Sequence, residues 1–257
     1  MAGRLTELLD RWHLRKVRER WTVAREASAV LESFQLRGLR TEARSLRRRL
    51  DRFIHAADQR LSLPLLGAGL PRMPLGTDWT WRPDAWRGPL SVPGTVAEGK
   101  RSQISDDLAL FHDCPLAEIS LRQIRNGEEA DRAPFGLALE VFGFQGSFLS
   151  LATTLPDAAV QGMKTRHLIR FDAVIDCEGP YKAYARLNIK HGPNVAQLMQ
   201  ELPSEGRGKL VEFELAYAKI DEARIEKAWL DLLFSEAAMN RITLRDLVLS
   251  RRPRAEA

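Results

Sequence analysis

The side chains of this chain that could do chemistry are carboxylates at alternate positions of short apolar runs. Asp172 and Asp176 alternate with Ile169, Phe171, Ala173 and Ile175; Glu212 and Glu214 with Val211, Phe213, Leu215 and Tyr217; Asp231 with Leu230 and Leu232. A pair of such groups flanking a sugar could cleave a glycosidic bond. Glu212 and Glu214, however, sit two residues apart on one strand and would lie side by side, not across a substrate. His112-Asp113-Cys114 suggests a Cys/His nucleophile, but neighbours on a strand point to opposite faces and Pro115 marks a strand end. The chain contains no GxSxG, P-loop, GxGxxG or HExxH pattern. Cys114 and Cys177 have no metal-ligand spacing; a disulfide between them is a matter for geometry. Catalytic residues, metal ligands and cofactors are therefore not assigned.

Binding reads better than catalysis. The stretch Ala183–His191 alternates at period two: Ala185, Leu187 and Ile189 point inward, while Tyr184, Arg186, Asn188 and Lys190 point outward. Trp229 and Asp231 are outward on another strand. If the strands over 167–177, 184–190, 209–218 and 227–234 share a sheet, one face mixes aromatic, amide, cationic and anionic groups. Rings of that kind stack on the apolar faces of a sugar while polar groups bond its hydroxyls. The loop Lys190-His191-Gly192-Pro193-Asn194 offers further donors at the sheet edge. The expected contacts are Tyr184, Arg186, Asn188, Lys190, His191, Asn194, Trp229 and Asp231. A solvated face with cross-strand pairs, such as Arg186 with Glu212 or Glu214, is the competing reading, and Asn194 as cap of a short helix over 194–202 competes for the loop.

The elements that would carry these residues are legible. Nine strand-like runs follow one another between 107 and 250, with turn residues at Asn126-Gly127, Gln145-Gly146 and Gly179-Pro180. They predict a mainly β fold, an antiparallel jelly-roll-like β-sandwich over 105–257. A short helix is expected within 157–164, and a bulge at Arg245-Asp246. Residues 63–104 form a connector rich in Pro, Gly and Trp, in which Trp79, Trp81 and Trp86 pin the chain to the sandwich and 92–103 reads as a mobile loop.

Residues 1–62 read as a basic helical arm. Leu36, Leu39, Ala43, Leu46, Leu50, Phe53 and Ala57 recur at spacings of three and four. Leu5, Leu8 and Trp12, then Val17, Trp21, Ala24 and Leu31, make a less regular seam before it. Two helices, about 4–32 and 35–61, folded as a hairpin are expected; one long helix is the alternative, with Pro64 ending it. The arm holds 15 Arg and Lys against 8 Asp and Glu, net +7, whereas the whole chain is +5. Arg37, Arg40, Arg44, Arg47 and Arg48 lie beside the seam. Self-association, a protein partner or a peripheral contact with an anionic membrane fits this pattern. Nucleic acid fits poorly, because no aromatic residue interleaves the arginines. No signal peptide or 18-residue apolar run is present, so the cytoplasm is the expected address.

The strings Leu75–Trp79, Phe111–Cys114, Gly146–Leu151, Ala185–Asn194 and Arg251–Ala255 resemble an uncharacterised family of alphaproteobacterial proteins, a domain of unknown function. That resemblance implies a bacterial, intracellular protein and supplies no activity. The strand-rich second half resembles carbohydrate-binding, galactose-binding-like sandwiches. The functional expectation is a non-catalytic protein binding a saccharide or similar polar ligand. The alternatives are a structural or interaction protein acting through the arm, and a carbohydrate-active enzyme.

Overall fold

The computed structural model describes residues 2–62, 71–128 and 130–254, with side chains described from residue 13 onward except at 48, 51, 52, 54–56 and 58–62. Pro64, Gly67, Gly69 and Ala255 lie outside the described residues, as do the side chains of Leu5, Leu8, Trp12 and Arg48. The chain divides into two compact units, Met1–Ile54 and His55–Ala257.

The first unit is helical. Helix α1 spans Ala2–Glu26, a 3-10 turn follows at Ala27–Ala29, and α2 runs Ser33–Ser62. Arg20 of α1 donates to Glu42 of α2 at 2.6 Å, so the helices fold back on each other as the expected hairpin, not as one long helix. Trp21, Ala24, Leu39, Ala43 and Leu46 are half-buried along the seam near the bend. Leu14, Val17, Leu50 and Phe53 are exposed, so the seam does not close along its whole length.

The second unit is mainly β. Its strands are β1 (Trp79–Trp81), β2 (Gly94–Val96), β3 (Arg101–Gln103), β4 (Leu108–His112), β5 (Ile119–Arg125), β6 (Phe135–Val141), β7 (Leu149–Thr154), β8 (His167–Cys177), β9 (Lys182–His191), β10 (Asn194–Glu201), β11 (Gly208–Glu214), β12 (Ile225–Ser235) and β13 (Asn240–Pro253). Two antiparallel sheets result. One has the order β11-β8-β13-β6-β5-β2, with β1 also on β13; the other has β10-β9-β12-β7-β4-β3. Inward residues of both sheets form one core, including Leu110, Leu137, Phe171, Leu187, Phe213, Leu230 and Leu244. This is the jelly-roll-like sandwich that the alternating runs predict.

Several local expectations change. Residues 194–201 are a strand, not a helix: Gly192, at φ +59°, closes a tight turn that pairs Asn194 with His191, and β10 runs back along β9. Residues 94–96 and 101–103 are edge strands of the two sheets rather than a mobile loop. Strand β11 stops at Glu214, and Tyr217 lies exposed on a 3-10 turn instead of in the core. The turns at Gln145-Gly146 and Gly179-Pro180 carry the chain from one sheet to the other. The helix α3 (Asp84–Arg87) buries Trp86, whose Nε1 donates to the Leu244 carbonyl at 3.0 Å. The helix α4 (Asp157–Val160) occupies the expected place. The bulge falls between Leu244 and Asp246, with Asp246 wholly buried against Arg82 and Arg132. Both cysteines are free thiols.

Candidate functional site

The sheet order decides which polar residues meet. Strands β8 and β11 belong to one sheet and β9 and β12 to the other, so the single mixed face expected from the four strands is split in two. Glu212 pairs with Arg252, Glu214 with Arg254, and Asp172 with Arg132 and Arg170. Arg186 finds neither Glu212 nor Glu214. It sits opposite Asp231 in the β9–β12 register and donates to Asp231 Oδ2 from Nε at 3.1 Å and Nη2 at 2.8 Å.

The outer face of the second sheet carries a groove. Its cavity volume is about 380 Å³. It crosses β3, β4, β7, β12 and β9, which at about 4.8 Å per strand separates the outermost two by roughly 19 Å. Its shape follows from register. Arg186, Asp231, Ala152, Ala109 and Gln103 stand in one cross-strand row. Ser150, Phe111 and Arg101 stand in the next. Two alanines and a serine at the centre leave a trough between larger side chains on either side. Trp229 and Arg186 rise at one end; Arg101, Gln103 and Phe111 at the other.

Each wall is held in place. Asn188 is wholly buried beneath the Arg186–Asp231 pair and donates to Asp231 Oδ2 at 2.9 Å, while Gln197 donates to its Oδ1 at 3.1 Å. The Lys227 ammonium lies 5.8 Å from the Trp229 ring centroid. The Arg101 guanidinium lies 5.5 Å from the Phe111 ring and donates to Gln103 Oε1 at 2.7 Å. Asp113 accepts from the Ser147 and Phe148 amides, fixing the loop that brings Phe148 to the rim; Gly146 lacks a Cβ where Asp113 approaches. At the groove's far side, burial pushes the Asp107 carboxyl above the usual range against the hydrogen bond from Ser105 Oγ. The Ser150 hydroxyl, buried in the floor, has no hydrogen-bond partner.

Of the eight residues expected from sequence, Arg186, Trp229 and Asp231 line this groove. Asn188 lies under it. Tyr184 is half-buried on the same side of β9 but does not line it. Lys190 is bonded to Glu226, His191 is buried with Nδ1 accepting from the Asp221 amide at 3.2 Å, and Asn194 is exposed at the hairpin. Sequence reasoning passed over Arg101, Gln103, Asp107, Phe111 and Ser150. The signal was present in β7, where Ser150, Ala152 and Thr154 place small residues at every outward position. Among the described residues no cluster of His, Cys, Asp or Glu is arranged to hold a metal ion, and no helix is long and apolar enough to cross a membrane.

The chain is similar to several solved structures at low identity. The family 11 carbohydrate-binding module of Clostridium thermocellum, in complex with a β-1,3-1,4-mixed-linked tetrasaccharide, is 12% identical with a TM-score of 0.40, covering 65% of this chain and 99% of the module. The module TmCBM61, in complex with β-1,4-galactotriose, is 11% identical with a TM-score of 0.36, covering 56% of this chain and 88% of that one. The enzymatically active domain of bacteriophage CBA120 tailspike protein 4 is 7% identical with a TM-score of 0.39, and the match spans 56% of this chain but 19% of that one. No curated protein matches the chain. A family model described as a family of unknown function (DUF6478) matches residues 1–257, and the chain belongs to that family.

Proposed function

We propose that this DUF6478 chain is a non-catalytic binding protein whose groove takes a saccharide or similar polar ligand. The observation that carries the reading is the trough itself: a small-residue floor with aromatic and polar walls on a sheet face otherwise free to be flat. Trp229, Phe111 and Phe148 supply planar apolar surface; Arg101, Gln103, Asp107 and the rim of Arg186 supply hydrogen bonds. Asp231 is engaged by Arg186 and Asn188, so it holds a wall and is not poised as an acid or base. The other carboxylates considered for glycosidic cleavage lie on the opposite sheet in ion pairs. We assign contact to Arg186, Trp229, Arg101, Gln103 and Phe111, with Asn188 as support.

The test is a thermal-shift and calorimetric screen of soluble neutral oligosaccharides. Ligand at a hundredfold excess over Kd stabilises by about 2.7 kcal/mol, a rise of roughly 5–10 °C for a domain of this size. Trp229→Ala removes a stacking surface; covering ~60 Å² at about 25 cal/mol per Å² contributes about 1.5 kcal/mol, roughly tenfold in affinity. Ala152→Leu fills the floor and should weaken binding as well. A ligand whose affinity survives both changes binds elsewhere and overturns the assignment.

A further inference from the structure

Among its described residues the helical unit has no buried side chain. Its seam stays open at Leu14 and Leu50, each 52% exposed, and at Phe53, 71% exposed. The two edges of that seam differ in charge. On one edge Arg20 is neutralised by Glu42 across the hairpin. On the other edge the heptad pattern places Arg18 and Arg25 of α1 and Arg40 of α2, all exposed; Arg25 stands 3.8 Å from Glu26 in an exposed pair of the kind that neutralises little. The hairpin thus presents an apolar strip bordered by a cationic ridge, and Trp21, half-buried beside Arg20, adds an amphipathic ring at the boundary.

We propose that this hairpin docks on the surface of an anionic lipid bilayer, with Leu14, Leu50 and Phe53 entering the acyl boundary and the arginine edge lying among phosphate headgroups. A helix pair with a strong apolar face, low overall apolarity and an arginine-rich border lies on a membrane rather than across one, and neither helix is apolar enough to span, among the described residues. Charge selects the lipid surface over a second copy: two arms of net +7 would bring like-charged arginine edges within about one Debye length of each other. The open apolar strip selects it over a nucleic acid, whose phosphates would satisfy the arginines but leave Leu14, Leu50 and Phe53 in water. This inference is independent of the groove and of its ligand.

The experiment uses the full chain in flotation with vesicles of phosphatidylglycerol and phosphatidylcholine, against phosphatidylcholine alone. Binding is expected to the anionic vesicles only and to fall as salt is raised to about 0.5 M. The triple change Arg18→Gln, Arg25→Gln, Arg40→Gln, all at exposed positions, should weaken binding roughly 100-fold, since each arginine near such a surface contributes about a factor of five. Leu50→Ser with Phe53→Ser should weaken it at least tenfold. Circular dichroism and the thermal transition of the sandwich check folding, and the lipid and salt arms need no variant. The proposal is overturned by no flotation, or by equal binding to phosphatidylcholine alone. It is equally overturned if the double-serine variant splits a dimer seen by light scattering while vesicles stay unbound, or if duplex DNA is bound in place of vesicles.

Discussion

Arg186 and Asp231 form one ion pair, yet removing either partner should not cost the same. The Asp231 side chain is 8% exposed and that of Arg186 is 34% exposed. In Asp231→Ala the guanidinium keeps its charge but can turn toward water. The loss is then that of charge-assisted hydrogen bonds, about 1.5–3 kcal/mol, shared between Arg186 and the Asn188 amide, which retains the Arg186 and Trp229 carbonyls as acceptors. In Arg186→Ala the carboxylate stays where water scarcely reaches, with Asn188 as its remaining partner. Breaking a buried pair in that direction costs about 3–5 kcal/mol. Urea unfolding of both single variants and the double variant, read as midpoint and slope, gives the two costs and their coupling. The double variant should be no worse than Arg186→Ala, because no unpaired charge remains. If Asp231→Ala proves as costly as Arg186→Ala, the argument from unequal exposure is wrong, and with it the view that this pair is a fixed wall of the groove.

Two further predictions follow the same physics. The Arg82–Asp246 pair is more deeply buried, at 4% and 1% exposure, with contacts of 2.8 and 3.1 Å. Asp246→Asn should cost about 3–5 kcal/mol, a fall of roughly 6–20 °C in Tm, whereas Arg82→Met with Asp246→Leu should recover only part of it, because Arg132 and the buried Leu247 amide also lose Asp246 as acceptor; calorimetry distinguishes the two. Asp107 has its folded-state pKa raised, chiefly by burial. Between its unfolded and folded values the native state binds more protons, so this group makes stability fall as pH rises through that window. Asp107→Asn should therefore be more stable than the parent at pH 7 and should lose that advantage below about pH 4; unfolding midpoints at several pH values check the sign.

Much of the architecture could be read from periodicity. Strands β8, β9 and β12 fall close to where alternating runs put them, and their inward residues, from Ile169 to Phe234, are buried as expected. Alternation reports which side of a strand is apolar, because that depends on the two-residue repeat of the backbone and nothing beyond it. It is silent on which strands become neighbours. The helix expected over 194–202 failed for a related reason: a hairpin closed by Gly192 supplies β9 as a partner, and ladder hydrogen bonds outweigh a local preference. Lys209 shows the limit from another side. It lies on the inward face and is almost wholly buried, its ammonium donating to the carbonyls of Pro203, Ser204 and Glu205. No local pattern announces that three carbonyls will converge on it.

The sequence by itself therefore determined the two classes of structure, a basic amphipathic helical arm and an antiparallel sandwich, along with the inward and outward sense of most strands. Only the tertiary structure decided that Arg186 meets Asp231, that β8 and β11 leave for the opposite sheet, and that Ala109, Ser150 and Ala152 line up to hollow a groove. Side-chain periodicity is encoded within a strand, whereas a groove is made by the register between strands distant in sequence, set by how the whole core packs.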